Sequence, residues 1–311
     1  MEMEQRPRRA LVTGASGYIG SHLARRLVAD GWEVHVLLRH GAQDALLAPV
    51  RERIAIHRIG SDTAGIVEAV RLAAPDAVFH LAAAFVAEHG PGDVAPLVEA
   101  NLLFGTQLLE AMHANGVRLL VNTGTAWQHY GNRDYDPVNL YAATKQAFEA
   151  ILAYYVNAHG FAAATLVLFD TYGPDDPRPK LMRALWQAAA RGAPLDMTSG
   201  EQMLDMVFVD DVVEAFLAAE HSLRAGAPGL VRYGVSSGTP LRLKDLVACF
   251  EAAAGLPLDV RWGARPDRRR DPLAPWTGFV APPGWRPRVS LMDGLRRSRP
   301  SAPSPGPQQA A

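Results

Sequence analysis

Residues Ala10–Gly20 read A-L-V-T-G-A-S-G-Y-I-G, a short apolar run followed by glycines at the spacing G-x-x-G-x-x-G. Glycine at these intervals lets the backbone turn tightly and then admits a neighbour close to the start of the next segment. That segment, Ser21 to Asp30, carries Leu23, Leu27 and Val28 at helical spacing. A helix starting here presents unpaired N–H groups and the positive end of its dipole to the loop, and a pyrophosphate is the group that fits. Glycines alone would also make a purely structural turn. The strand before, the helix after and a second apolar run at Glu33–Leu38 complete a βαβ unit and point to a dinucleotide site. Its residues are Gly14, Ser16, Gly17, Tyr18, Ile19 and Gly20.

The same rhythm continues. Strands are predicted at Arg9–Thr13, Glu33–Leu38, Ile54–Arg58, Ala77–His80, Val117–Thr123 and Ala163–Leu168, with helices at Tyr18–Asp30, Ala64–Ala74, Val94–Asn115 and Leu140–His159. This alternation specifies an α/β fold, a doubly wound parallel sheet of the Rossmann kind. The dinucleotide domain is placed at residues 1–169, with residues 205–225 returning to it. Residues 170–297, where Pro and Gly punctuate shorter pieces, form a smaller C-terminal substrate lobe. Its helices are predicted at Lys180–Arg191, Val212–Leu223 and Leu243–Ala254, with strands near Val207–Val209 and Leu230–Val235. The Pro/Ser-rich stretch 298–311 reads as a disordered tail.

Composition excludes several classes. With 31 basic and 32 acidic residues, a net charge of -1 and 49% hydrophobic content, nothing favours a nucleic-acid polymer or an anionic membrane. No apolar run reaches the length of a membrane span and no apolar leader follows Met1; a soluble, cytoplasmic protein is expected. The single cysteine, Cys249, excludes an intrachain disulfide, and His80, His89 and His129 lack metal-ligand spacing. No metal is implied.

A second signal is Tyr141-Ala142-Ala143-Thr144-Lys145, which sets a phenol and an ammonium one helical turn apart. An ammonium beside a phenol favours the phenolate, so Tyr141 is expected to exchange a proton near neutral pH, with its pKa lowered by Lys145. Y-x-x-x-K is often only a solvated face. Here it follows a strand ending Val121-Asn122-Thr123-Gly124-Thr125, whose hydroxyls can meet a reacting oxygen. At the end of the second strand, where an NAD site needs a carboxylate for the ribose hydroxyls, this chain has Leu38, then Arg39 and His40. Arg39 suits a 2′-phosphate, so NADP(H) is preferred and NAD(H) remains possible. Asp62, after the third strand, is a candidate partner for the adenine amino group.

Taken together these residues resemble the extended short-chain dehydrogenase/reductases, the nucleotide-sugar epimerases, dehydratases and ketoreductases. The resemblance rests on T-G-A-S-G-Y-I-G, on His80-Leu81-Ala82-Ala83, on Asn101, on Tyr141/Lys145, and on Thr171-Tyr172-Gly173-Pro174 and Phe208-Val209-Asp210-Asp211-Val212. It implies Tyr141 as acid/base, Lys145 as ribose-binding and tuning residue, and Leu81, Ala82, Ala83 and Asn101 beside the cofactor. The family's Ser/Thr falls on Thr123 if Trp127 is the aromatic that closes the strand-end motif, with Thr125 as fallback. Trp127, Gln128, Asp170, Arg178 and Arg268 are assigned to the substrate, a nucleotide-activated sugar. Gly124 and Thr125 stand where family dehydratases carry an acidic pair, so dehydration is not expected. The pattern around N-T-G-T-x-W-Q-H-Y is similar to that of sugar-nucleotide 4-ketoreductases of the CDP-abequose and CDP-paratose synthase type. The expected activity is NADPH-dependent reduction of a keto-deoxysugar nucleotide, with an NAD-dependent epimerase and a non-catalytic NADP sensor as alternatives. A homodimer through the helices carrying Phe104/Leu108 and Tyr141/Ile151 is implied by the resemblance alone.

Overall fold

The computed structural model describes residues 6–227 and 229–300. Its first part runs β1 (Arg9–Thr13), α1 (Tyr18–Ala29), β2 (Glu33–Arg39), β3 (Ile54–Ile59), α2 (Thr63–Ala73), β4 (Ala77–His80), α3 (Val94–Val98), α4 (Phe104–Ala114), β5 (Leu119–Thr125), α5 (Leu140–His159) and β6 (Ala162–Leu168). The second part runs β7 (Asp170–Tyr172), α6 (Leu181–Arg191), β8 (Leu195–Asp196), β9 (Met203–Leu204), β10 (Met206–Phe208), α7 (Val209–Arg224), β11 (Leu230–Val235), β12 (Leu241–Arg242), α8 (Leu243–Ala254), β13 (Val260–Arg261) and α9 (Leu291–Arg297).

Seven parallel strands form the main sheet in the order β11-β6-β5-β4-β1-β2-β3. Its strands are apolar at consecutive positions because both faces are covered. On β1, Ala10 and Val12 pack with Leu23 and Leu27 of α1 and with Val212 and Phe216 of α7. Leu11 points the other way, to Ile66 of α2, Leu108 of α4 and Leu152 of α5. A third cluster joins Tyr172, Trp186, Phe208 and Phe250 beneath α6, α8 and α9, with Trp186 edge-on to Phe250 at 4.7 Å.

Four expectations change. Leu230–Val235, assigned to the substrate lobe, is the edge strand of the main sheet and pairs with β6 from Leu230↔Ala163 to Val235↔Leu168. Periodicity marks a strand but not the sheet it joins, and α7 supplies the crossover that returns it. The stretch Val94–Asn115, predicted as one helix, is broken by a π turn at Glu99–Leu103, and it is this turn that carries Asn101. Ser298, placed in the tail, is 4% exposed and donates from its hydroxyl to Leu295 O at 2.8 Å; residues 301–311 of that tail lie outside the described residues. Leu108, assigned to a dimer face, is fully buried in the protein's own core. Among the described residues of α3, the π turn, α4 and α5, the exposed large apolar side chains are Val94, Val98, Leu103 and Tyr154.

Candidate active site

The strand order reverses between β4 and β1, and ligands of such sheets enter the crevice at that reversal, beyond the carboxyl ends. Gly14 closes β1 with φ +71°, and a Cβ there would lie 2.5 Å from Ala82 N. The segment after β4 is pressed this close by two bonds, Leu81 N to Thr13 O at 3.1 Å and Ala82 N to Thr13 Oγ1 at 3.2 Å. A Cβ on Gly20 would come within 2.2 Å of Gly14 O, so the loop folds directly onto α1. Gly17 is the N-cap of α1, no side chain caps it, and no acid stands in its first turn. The cradle therefore fits a pyrophosphate in shape and charge. Ser16 is half-buried in the loop and Ile19 lines the cavity beyond it. The Tyr18 side chain has another task, donating to Pro174 O at 2.9 Å with the Arg178 guanidinium over its ring at 4.7 Å. It ties α1 to the second lobe.

At the end of β2, Leu38 is 2% exposed and belongs to the core. Arg39 is exposed and, among the described residues, makes no ion pair. The neighbouring Arg58 is occupied, its guanidinium reaching Asp44 at 3.1 Å. Asp62, assigned to adenine, is the N-cap of α2 and accepts from Gly65 N at 2.7 Å. That capping bond gives its carboxylate a structural role.

Asn139 begins α5, accepting from Ala142 N at 3.0 Å and donating to Ala87 O at 2.9 Å. Tyr141 thus sits in the first turn and Lys145 in the second, 1% exposed. The expected lowering of Tyr141 by Lys145 is not found. Burial pushes the phenol up to about 12, and the cation opposing this is Arg178. Burial also pulls the Lys145 ammonium down to about 8, opposed by the carboxylate of Glu149.

The two threonines of β5 differ in what their hydroxyls already do. Thr123 Oγ1 spends its single proton on His80 O at 2.9 Å. Thr125 Oγ1 accepts from Trp127 N at 3.3 Å and keeps its proton to give. Gly124 between them is hemmed in, since a Cβ would meet Thr165 Cγ2 at 2.9 Å and Gln128 Oε1 at 3.0 Å. A side chain there would have to displace one of these neighbours.

Two residues assigned to ligands are turned inward instead. Asn101, 1% exposed, accepts from Ala84 N at 2.8 Å and donates to Ala84 O at 3.0 Å and Thr144 Oγ1 at 2.9 Å. It pins the segment after β4 to α5. Gln128 is fully buried, accepts from Thr125 N at 2.9 Å and donates to Gln146 and Glu149 at 2.8 Å. It is scaffold beneath the cavity floor rather than a substrate contact.

Tyr141 and Thr125 open onto a cavity of about 470 Å³, walled by the rings of Phe85, Trp127, Tyr130 and Trp276 and reached by Asp170, Arg178 and Lys180. Arg178 is held by a two-pronged pair with Asp176, at 2.7 and 2.6 Å. Arg268 stands at the rim, its guanidinium 5.8 Å from the Trp127 ring. Asp170 is raised by burial, against the pull of Lys180, and Lys180 is lowered by burial beside Arg178. Phe85, Lys180 and Trp276 had no sequence signal. Phe85 meets Tyr141 edge-on at 5.0 Å, and Trp276 stacks on His129 at 3.8 Å from a stretch of chain with no periodicity. Among the described residues no cluster of three metal-ligating side chains forms and no helix is long and apolar enough to cross a membrane.

A Rossmann sheet with a glycine cradle at its reversal and a tyrosine–lysine pair beside a hydroxyl-bearing strand end defines an NAD(P)-dependent enzyme. The chain belongs to the NAD-dependent epimerase/dehydratase family, whose sequence pattern matches residues 10–232. It is 30% identical to the UDP-glucose 4-epimerase of Mycolicibacterium smegmatis over 313 residues, covering 93% of this chain and 97% of the relative. It is 27% identical to the CDP-abequose synthase of Yersinia pseudotuberculosis over 210 residues, covering 67% of this chain and 72% of that protein. In structure it resembles the UDP-glucose 4-epimerase of Thermus thermophilus in complex with NAD, with a TM-score of 0.78 and 29% identity over 94% of this chain and 97% of the other.

Proposed function

We infer that the protein is an NADPH-dependent ketoreductase acting on a nucleotide-activated keto-deoxysugar, with the keto group at the 4-position. The observation that carries this reading is the end of β2, where a buried Leu38 and an exposed Arg39, without an ion-pair partner among the described residues, stand in place of a carboxylate. A 2′-phosphate meets no repulsion there and a guanidinium able to grip it. An enzyme that draws on the NADPH pool reduces its substrate; one that returns its hydride has no need of that pool. The likeness to CDP-abequose synthase supports the same reading.

In this reading the glycine cradle, with Leu81, Ala82 and Ala83 opposite, holds the dinucleotide, and Lys145 binds its nicotinamide ribose. When bound, the dinucleotide supplies hydride to a carbonyl carbon. The sugar lies on the rings of Phe85 and Trp127, surfaces that suit a sugar stripped of hydroxyls. Thr125 takes the role for which Thr123 had the better sequence match, donating to the carbonyl oxygen. Tyr141 delivers its hydroxyl proton to that oxygen. Burial keeps Tyr141 protonated at neutral pH, as a donor requires. Arg178, Lys180 and Arg268 face the diphosphate side.

The likeness to UDP-glucose 4-epimerases over nearly the whole chain favours a second reading, an epimerase that keeps NAD bound. Titrating the free protein with NADPH and NADH separates the two: the reductase reading expects NADPH to bind more tightly, and a preference for NADH overturns it. Pairing of two copies through α4 and α5, with the exposed Leu103 just before α4 and Tyr154 on α5, belongs to the same proposal, and the mass in solution tests it.

A further inference from the structure

Along α5 the Tyr141–Lys145 spacing repeats once more, to Glu149, a carboxylate 3% exposed that the proposed chemistry does not use. Burying a carboxylate is costly unless each oxygen is occupied, and both are. Glu149 Oε1 accepts from Gln128 Nε2 at 2.8 Å. Oε2 accepts from Arg232 Nε at 3.1 Å and from its Nη2 at 2.7 Å. Gln128 in turn accepts from Thr125 N at 2.9 Å through its other amide atom.

A continuous path therefore runs from Arg232 on the edge strand β11, through Glu149 and Gln128, to the backbone of the residue whose hydroxyl is free to donate. Lys145 lies one helical turn from Glu149 on the same face. We propose that Glu149 is a positioning residue that works in two directions, fixing Thr125 through Gln128 and holding the charge of Lys145. This rests on the assignment of Thr125, Tyr141 and Lys145 given above.

The surroundings of Lys145 make Glu149 the acidic influence on it among the described residues. His80 on β4 is held neutral, its pKa pushed down to about 3 by burial and by Lys145 itself. Tyr141 stays protonated, and Arg232 on β11 and His129 beyond β5 bring no negative charge. Glu149 is the carboxylate that keeps the Lys145 ammonium from falling further.

The test uses Glu149→Gln, which keeps the shape and removes the charge, and Gln128→Leu, which cuts the path to Thr125 and leaves the charge. The first readout needs no sugar substrate: the pH dependence of NADPH affinity, followed by nicotinamide fluorescence. In the wild type affinity falls as pH rises through the point where Lys145 loses its proton. Glu149→Gln moves that fall to lower pH by about one unit, whereas Gln128→Leu leaves it in place. The second readout is turnover on a keto-sugar nucleotide, where Gln128→Leu lowers kcat by about tenfold or more with KM for NADPH unchanged.

A uniform loss of affinity at every pH in Glu149→Gln, with the fall unmoved, overturns the electrostatic half. Wild-type kcat in Gln128→Leu overturns the positioning half. If Glu149→Gln fails to fold, the double variant Glu149→Gln with Arg232→Met, which removes both members of the buried pair and leaves no unpaired charge, serves: the fall again moves to lower pH, and an unmoved or raised fall counts against the proposal. A wild type with no NADPH affinity at any pH refutes the dinucleotide reading instead.

Discussion

Replacing Thr125 and Thr123 by valine, one at a time, separates a hydroxyl that serves the reaction from one that serves the fold. Valine copies the shape of threonine and removes only the hydrogen-bonding atom. At Thr125 the lost acceptor is a long capping bond from Trp127 N, 3.3 Å, so stability falls by about 0.5 kcal/mol, the low end for a cap. The lost donor is the one proposed to meet the carbonyl oxygen as charge develops on it. Deleting such a donor costs about 2.7–4 kcal/mol of transition-state stabilisation, roughly a 10²–10³-fold fall in kcat. At Thr123 the lost bond is the 2.9 Å contact to His80 O, which laces β5 to β4. Its removal costs about 1 kcal/mol of stability, roughly 2 °C or less in Tm for a chain of this size, and little turnover. Steady-state rates and thermal melts of the two variants form a double dissociation. A large rate loss in Thr123→Val with a native-like Tm, alongside an active Thr125→Val, refutes the reasoning.

Three further outcomes follow from the same geometry. Tyr141→Phe retains NADPH affinity within about threefold and loses about 10²-fold or more in kcat, read by fluorescence titration and steady-state kinetics. Arg39→Ser loses about 1.5–3 kcal/mol of NADPH binding, roughly tenfold to a hundredfold in Kd, with NADH affinity unchanged; equal losses for both cofactors contradict the 2′-phosphate contact. Lys145→Met raises Tm below pH 8, because the folded protein holds the ammonium at about 8 against its ordinary 10.5 and burying it charged is unfavourable. As pH rises from about 8 to 10.5 the unfolded chain binds more protons than the folded one, so wild-type stability climbs and the advantage of the variant shrinks. Melts on either side of that window check the sign.

Where a local pattern determines the structure, the sequence was readable. The glycine spacing, the doubly apolar strands and the Tyr141/Lys145 spacing each follow from backbone sterics or helix periodicity. What escaped depends on distant chain segments. β11 looked like part of the lobe because pairing with β6 is a tertiary event. Gln128 and Asn101 carry polar side chains in motifs beside a ligand, yet buried backbone groups and the Glu149 carboxylate claim them first. Asp62 reads as a ligand contact, and the cap that its Oδ1 makes on α2 depends on where that helix begins. The choice between Thr123 and Thr125 turns on which hydroxyl proton is already spent, and that depends on His80 O across the strand pair. Phe85, Lys180 and Trp276 converge on the cavity from three separate segments, and no window of sequence contains them together.

The central claim, net reduction, meets its most direct test in a panel of 4-keto-deoxysugar nucleotides mixed with the protein and NADPH. The account predicts that, on at least one of them, one NADPH is consumed for each reduced sugar formed, with Tyr141→Phe inactive under the same conditions. Interconversion of C4 epimers of ordinary sugar nucleotides with no net change in NADPH, and no reduction of any keto sugar in the panel, would contradict it and establish the epimerase reading.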